Sequence, residues 1–85
     1  MGKSITCNFY VNINLSNGMQ MTAGAMNLKQ IKGLILSEKE YQKNKGNNII
    51  NTEIFAQTQR GRNFLKNYDY AIITNDFKIE YCYIN

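Results

Sequence analysis

The sequence predicts an α+β fold: one antiparallel sheet of about four strands, with one or two helices packed on one face. Three observations lead there. Runs alternating apolar and polar residues stand at both ends of the chain. Each end carries a turn dipeptide, Asn17-Gly18 or Asn75-Asp76. Between them lies a stretch with apolar residues at helical spacing. The 85 residues suit a single domain, 1–85. A hydrophobic fraction of 44% places the chain among folded domains rather than disordered ones.

The first element is Ile5 to Leu15. Ile5, Cys7, Phe9, Val11, Ile13 and Leu15 alternate with Thr6, Asn8, Tyr10, Asn12 and Asn14. Period two with one apolar face means a strand with one side on a core. Asn-Gly at 17–18 favours a type I′ hairpin turn. The return strand then runs from Met19 to about Ala25, with Met19, Met21, Ala23 and Ala25 on one face.

Asn27 can cap a helix, with Gln30 three positions on. Leu28, Ile31, Leu34 and Ile35 follow at helical spacing. Gly33 interrupts them, and Ser37-Glu38-Lys39-Glu40 repeats the capping pattern. Two readings stay open: a helix that breaks or restarts at Ser37, or a short strand Gly33–Leu36 before a helix from Ser37. Lys45-Gly46-Asn47-Asn48 ends the element, with Gly46 as the left-handed stop.

Ile49 to Gln59 is ambiguous. Thr52 with Glu53 could open a helix, and Ile54, Phe55, Thr58, Arg62 and Leu65 form a weak helical face. Gly61 argues for a bend. The chain ends more clearly. Tyr70 to Thr74 is an apolar strand, Asn75-Asp76 a turn, and Phe77 to Ile84 alternates again. Phe77, Ile79, Tyr81 and Tyr83 face one way; Lys78, Glu80 and Cys82 face the other. This last strand reads as an exposed edge with large apolar residues. Edges invite pairing, so a homodimer through it is an expectation. The helices would cover the apolar strand face, leaving a polar face rich in Asn and Tyr.

Composition narrows the chemistry. The chain has no His, which removes the commonest general base and the commonest zinc ligand. Glu38 and Glu40, two apart on a helix, do not face each other. No nucleophile has a visible base, so the expectation is a chain that is not an enzyme and needs no metal or cofactor. Cys7 and Cys82 stand without a signal peptide or zinc spacing, which points to free thiols in a cytoplasmic setting. No apolar run reaches the roughly 18 residues of a membrane span.

The formal charge is +4, unevenly placed. From Lys29 to Lys66 stand eight basic residues and three acids, a local excess of +5. Such a segment suits an anionic partner, or serves only as a solvated surface.

The basic and aromatic residues converge in Q-R-G-R-N-F-L-K-N-Y-D-Y, Gln59 to Tyr70. Arg60-Gly61 followed by Phe64 resembles the RNP1 octamer of RNA-recognition motif domains. Phe9-Tyr10-Val11-Asn12 similarly resembles the RNP2 strand. That resemblance implies unpaired bases stacked on aromatics of adjacent central strands. The pattern departs at Arg62, Asn63 and Asn67, where the octamer wants aromatic or small residues. The element order departs too, because a hairpin stands where that fold needs a helix. No family assignment follows.

What remains is a set of candidate binding residues. Arg60 and Arg62 are the only two arginines, and Arg is the better side chain for bidentate phosphate or carboxylate contacts. Lys66 and Tyr68 adjoin them, although Phe64, Leu65 and Tyr68 also read as core. Lys43 and Lys45 form a second cluster, which also reads as a helix cap. The Asn, Ile, Lys and Tyr bias fits a low-GC bacterium or its phage.

Together these features point to a small non-catalytic binding protein. The first expectation is a phage or mobile-element accessory protein that inhibits a larger host protein or nucleoprotein complex. Anti-defence inhibitors such as anti-CRISPR proteins are of this size, an analogy without a motif. The alternatives are direct nucleic-acid binding through the basic residues, or sequestration of a small anionic nucleotide by the same arginines.

Overall fold

The computed structural model describes residues 7–84. Five antiparallel strands form one sheet in the order β2-β1-β3-β4-β5. They are β1 (Phe9–Leu15), β2 (Gln20–Ala25), β3 (Ile49–Ala56), β4 (Tyr70–Ile73) and β5 (Ile79–Cys82). Two helices, α1 (Leu28–Lys43) and α2 (Gln59–Phe64), complete an α+β fold. The expected fold class holds, with one strand more than anticipated. The sequence reading began β1 at Ile5; residues 5 and 6 lie outside the described residues.

The added strand is β3, at the centre of the sheet between β1 and β4. Its sequence looked ambiguous because Asn51-Thr52-Glu53 mimics a helix start. Pairing on both edges decides otherwise. Val11 stands opposite Ile54, and Ile54 opposite Ala71. The register slips between Asn14 and Leu15, so Leu15 pairs with Ile49 and Ile50 is extra. That bulge turns Ile49 into the core and leaves Ile50 exposed.

Helix α1 is continuous through Gly33 and Ser37, which rules out the short strand and the break. Asn27 accepts the Gln30 amide hydrogen at 2.9 Å, and the Gln30 side chain reaches back to the Met26 amide at 2.8 Å. Ile31 and Ile35 are buried, with Leu28 and Leu34 packed beside them. Sixteen residues of helix place Ser37 mid-turn, where it is exposed. Gly46 (φ 79°) ends the helix, its amide donating to Lys43 and that of Asn47 to Gln42. These paired bonds stop the chain in the left-handed geometry that favours glycine.

The core is the layer between helices and sheet. Phe9, Val11, Ile13, Leu15, Ile54 and Ile73 point into it from the strands. Asn8 ties its corner together. Its side chain donates to the Met26 carbonyl at 2.8 Å and accepts from Thr58 Oγ1 at 2.6 Å. Thr58 caps α2, so one buried amide joins the starts of β1, α1 and α2. Gly61 does not bend the chain. It lies inside α2, where a Cβ would overlap the Asn8 carbonyl oxygen and crowd Ala56.

Both end hairpins exist, and they share a three-residue loop rather than the expected two-residue turn. Leu15 and Met19 are bridged at 2.9 Å, and Thr74 and Lys78 likewise at 2.9 Å. Gly18 (φ 89°) takes the left-handed third position of the first loop; Asn17 does not have the positive φ of a type I′ turn. Phe77 (φ 60°) takes that position in the second. A bulky residue there is strained, but its ring packs against the core cluster.

The hairpin pairs do not bring the ends together. Strands β3 and β4 separate β1 from β5, so Cys7 and Cys82 stay apart as free thiols. In this arrangement β5 is an edge strand, as expected. No helix among the described residues is long and apolar enough to cross a membrane.

Candidate functional site

The basic candidates divide between two ends of the molecule. Arg60 and Arg62 are exposed on α2, near the Phe9–Ala56 end of the sheet. Lys43 is the last residue of α1 and Lys45 follows it, near the Leu15–Ile49 end, where Ser16 bonds to Asn48. The seven residues of β1 separate these ends by roughly 20 Å. The six candidate residues therefore form two clusters rather than one patch.

At the first end, Arg62 walls a cleft of about 340 Å³ with Phe55, Gln59, Asn63, Tyr68 and Asp69. Arg60 does not line it. The backbone there takes two successive left-handed residues, Lys66 (φ 53°) and Asn67 (φ 72°). This turn aims Lys66 away from the cleft, its Nζ lying 5.3 Å over the Tyr81 ring. Tyr68 stacks at the edge of the sheet, 5.3 Å from Tyr81 and 4.6 Å from Tyr83. Phe64 meets Phe9 edge-on at 5.3 Å and belongs to the core boundary. At the other end, Lys45 caps the Tyr41 ring at 4.5 Å, while Lys43 and Lys39 border an open cleft of about 510 Å³.

The helix-free face of the sheet, expected to be polar and rich in Asn and Tyr, carries an arrangement that sequence reasoning missed. Alternation sends Tyr10, Asn12 and Asn14 outward from β1, and Asn51, Glu53 and Phe55 from β3. The register sets Tyr10 opposite Phe55, with Tyr70 beyond on β4. Their rings form a row across the three central strands, with centroids 6.5 and 5.5 Å apart. Cys82 extends the row onto β5, opposite Tyr70. One strand row away run Thr22, Asn12, Glu53, Ile72 and Glu80.

Polar side chains brace this face. Gln20 donates to Asn14 at 2.7 Å, and Asn14 donates to Asn51 at 2.7 Å and to Glu53 at 3.2 Å. Asn12 Oδ1 is sheltered and has no hydrogen-bond partner among the described residues. The Tyr70 hydroxyl is held above its ordinary pKa, first by the neighbouring Cys82 thiol, then by desolvation, with Glu53 adding to the effect. Signals for this surface were present in the alternation of β1. Recognising the row required knowing that Phe55 lies on a strand and that β3 pairs with β4.

Charge separates across the sheet. Eight basic residues lie on the helices and the connections that follow them, against Glu38, Glu40 and Asp69, an excess of +5. The open face carries Glu53 and Glu80, with Lys78 at its hairpin corner. No group of three His, Cys, Asp or Glu side chains converges among the described residues. Neither family models, curated proteins nor solved structures match this chain, so its surfaces are interpreted from their own geometry.

Proposed function

We propose that this chain is a small non-catalytic binding protein that acts by occupying a surface of a larger protein or nucleoprotein complex. One observation carries the reading: the Tyr10–Phe55–Tyr70 row on the helix-free face of the three central strands. Tyrosine-rich, lightly charged surfaces on rigid elements supply large contact area at low entropic cost. Paired strands hold these rings in place before any partner arrives. Size and composition add the finer expectation of a cytoplasmic phage or mobile-element inhibitor of the anti-defence type, such as an anti-CRISPR protein.

The experiment is affinity capture from the native host with wild type and a Tyr10→Ala/Phe55→Ala double variant. Wild type retains a partner, and the double variant loses it while keeping its native circular dichroism. Equal retention by the folded double variant would reject docking through this face.

The cleft at Arg62 favours a second reading, direct binding of nucleic acid or a small anionic nucleotide. A guanidinium beside the Phe55 and Tyr68 rings suits a phosphate next to a stacked base. Affinity would then fall steeply with salt and vanish in Arg60→Ala/Arg62→Ala. Purified protein would also release nucleotide on heating. Pairing of two chains through the β5 edge is a further proposal, checked by light scattering across a wide concentration range.

A further inference from the structure

We infer that the open sheet face recognises an arginine-presenting surface of its protein partner. The inference rests on the docking reading above and names the chemistry of its partner. Two features of the face converge on a cation. Glu53 stands in mid-sheet, with Asn12 and Ile72 as its cross-strand neighbours and no basic residue beside it in register. Asn14 holds one of its carboxylate oxygens at 3.2 Å, and the other is left to accept.

The aromatic row completes the fit. Phe55 follows Glu53 by two residues on the same face, and Tyr10 lies opposite Phe55. A guanidinium has donors only, along a planar edge, and a face that stacks on aromatic rings. Its edge can satisfy Glu53 while its face lies on Phe55 or Tyr10. A lysine ammonium meets the charge but not the stacking geometry.

The same chemistry argues against other occupants. A nucleic-acid backbone would set phosphates against Glu53 and Glu80. A symmetric dimer through this face would bring two copies of the same slightly acidic surface together. Arg62 reaches Phe55 from α2, while Glu53, further along β3, has no basic neighbour in register, so a basic partner would meet the open face at Glu53.

The test is a chemical-shift titration of the isotope-labelled full chain with short oligo-arginine, oligo-lysine and oligo-glutamate peptides and a single-stranded oligonucleotide. Oligo-arginine should shift Tyr10, Asn12, Glu53 and Phe55, and bind more tightly than oligo-lysine. Glu53→Gln keeps the Asn14 contact and should weaken oligo-arginine about fivefold. Unchanged oligo-arginine affinity in Glu53→Gln, or oligonucleotide shifts on this face, would overturn the inference. Self-association lost in Arg60→Ala/Arg62→Ala would assign the face to a second copy and likewise overturn it. Native-partner capture lost in Tyr10→Ala/Phe55→Ala but unchanged in Glu53→Gln would leave the docking reading standing and remove the cation. Capture insensitive to both would remove the docking reading itself.

Discussion

The two faces of the sheet are built from the same strands and do opposite things. On β3, Ile54 points into the core and is fully buried, while Phe55, the next residue, points to the open face and is half-buried. The covered face is mostly aliphatic, with Phe9 its one buried aromatic among the described residues, and lies under a basic helix layer. The open face is aromatic, amide-rich and slightly acidic. A sheet with one face covered is already stable, so its other face need not serve the core. The open face is therefore free to take the partner proposed above, whereas the covered face supplies the stability that holds it rigid.

The contrast is tested most strongly on β3. Ile54→Ala removes buried methyl groups from the central strand and should cost about 3 kcal/mol in urea unfolding. Phe55→Ala, one residue away, should cost only about 1 kcal/mol, because its ring, between Tyr10 and Tyr70, is only half-buried. Equal losses would mean that the open face is part of the core rather than a surface.

The next effect lies where α2 presses on β1. Gly61→Ala must move either the helix or the Asn8 carbonyl, and should cost about 2 kcal/mol. A smaller change, with the opposite sign, belongs to the covered face. Thr52 Oγ1 is buried there without a partner among the described residues. Thr52→Val keeps the shape, removes the unpaired hydroxyl and should stabilise the fold by about 1 kcal/mol.

The smallest effect is a titration on the open face. The Tyr70 pKa is raised, chiefly by Cys82. The folded chain thus holds this proton more tightly than the unfolded one. Its contribution to stability is present below the unfolded tyrosine value and is lost as pH rises through the folded one. The Tyr70 ring carbon signal should titrate above the ordinary tyrosine range, and Cys82→Ser should move it back. No movement would detach Cys82 from the aromatic row.

Much of the fold was legible. The alternation of β1, the cap at Asn27, the stop at Gly46 and both hairpins each rest on local chemistry within a few residues. The candidate site was less so. Arg60 and Arg62 do reach the surface, and Arg62 walls a cleft with Tyr68. Lys43 and Lys45 lie at the other end of the molecule, and Lys66 turns toward Tyr81. Charge along a sequence carries no information about which end of a sheet each residue reaches.

The sequence by itself determined the α+β class, the two hairpins, the helix capped at Asn27, and the absence of histidine from any mechanism. These follow from periodicity, turn residues and composition, which act locally. Only the tertiary structure decided that Ile49–Ala56 is the central strand, that Gly61 belongs inside a helix, and that Tyr10, Phe55 and Tyr70 share one row. The physical reason is that strand pairing joins residues distant in the chain, so a polar segment becomes a strand only when both of its edges find partners.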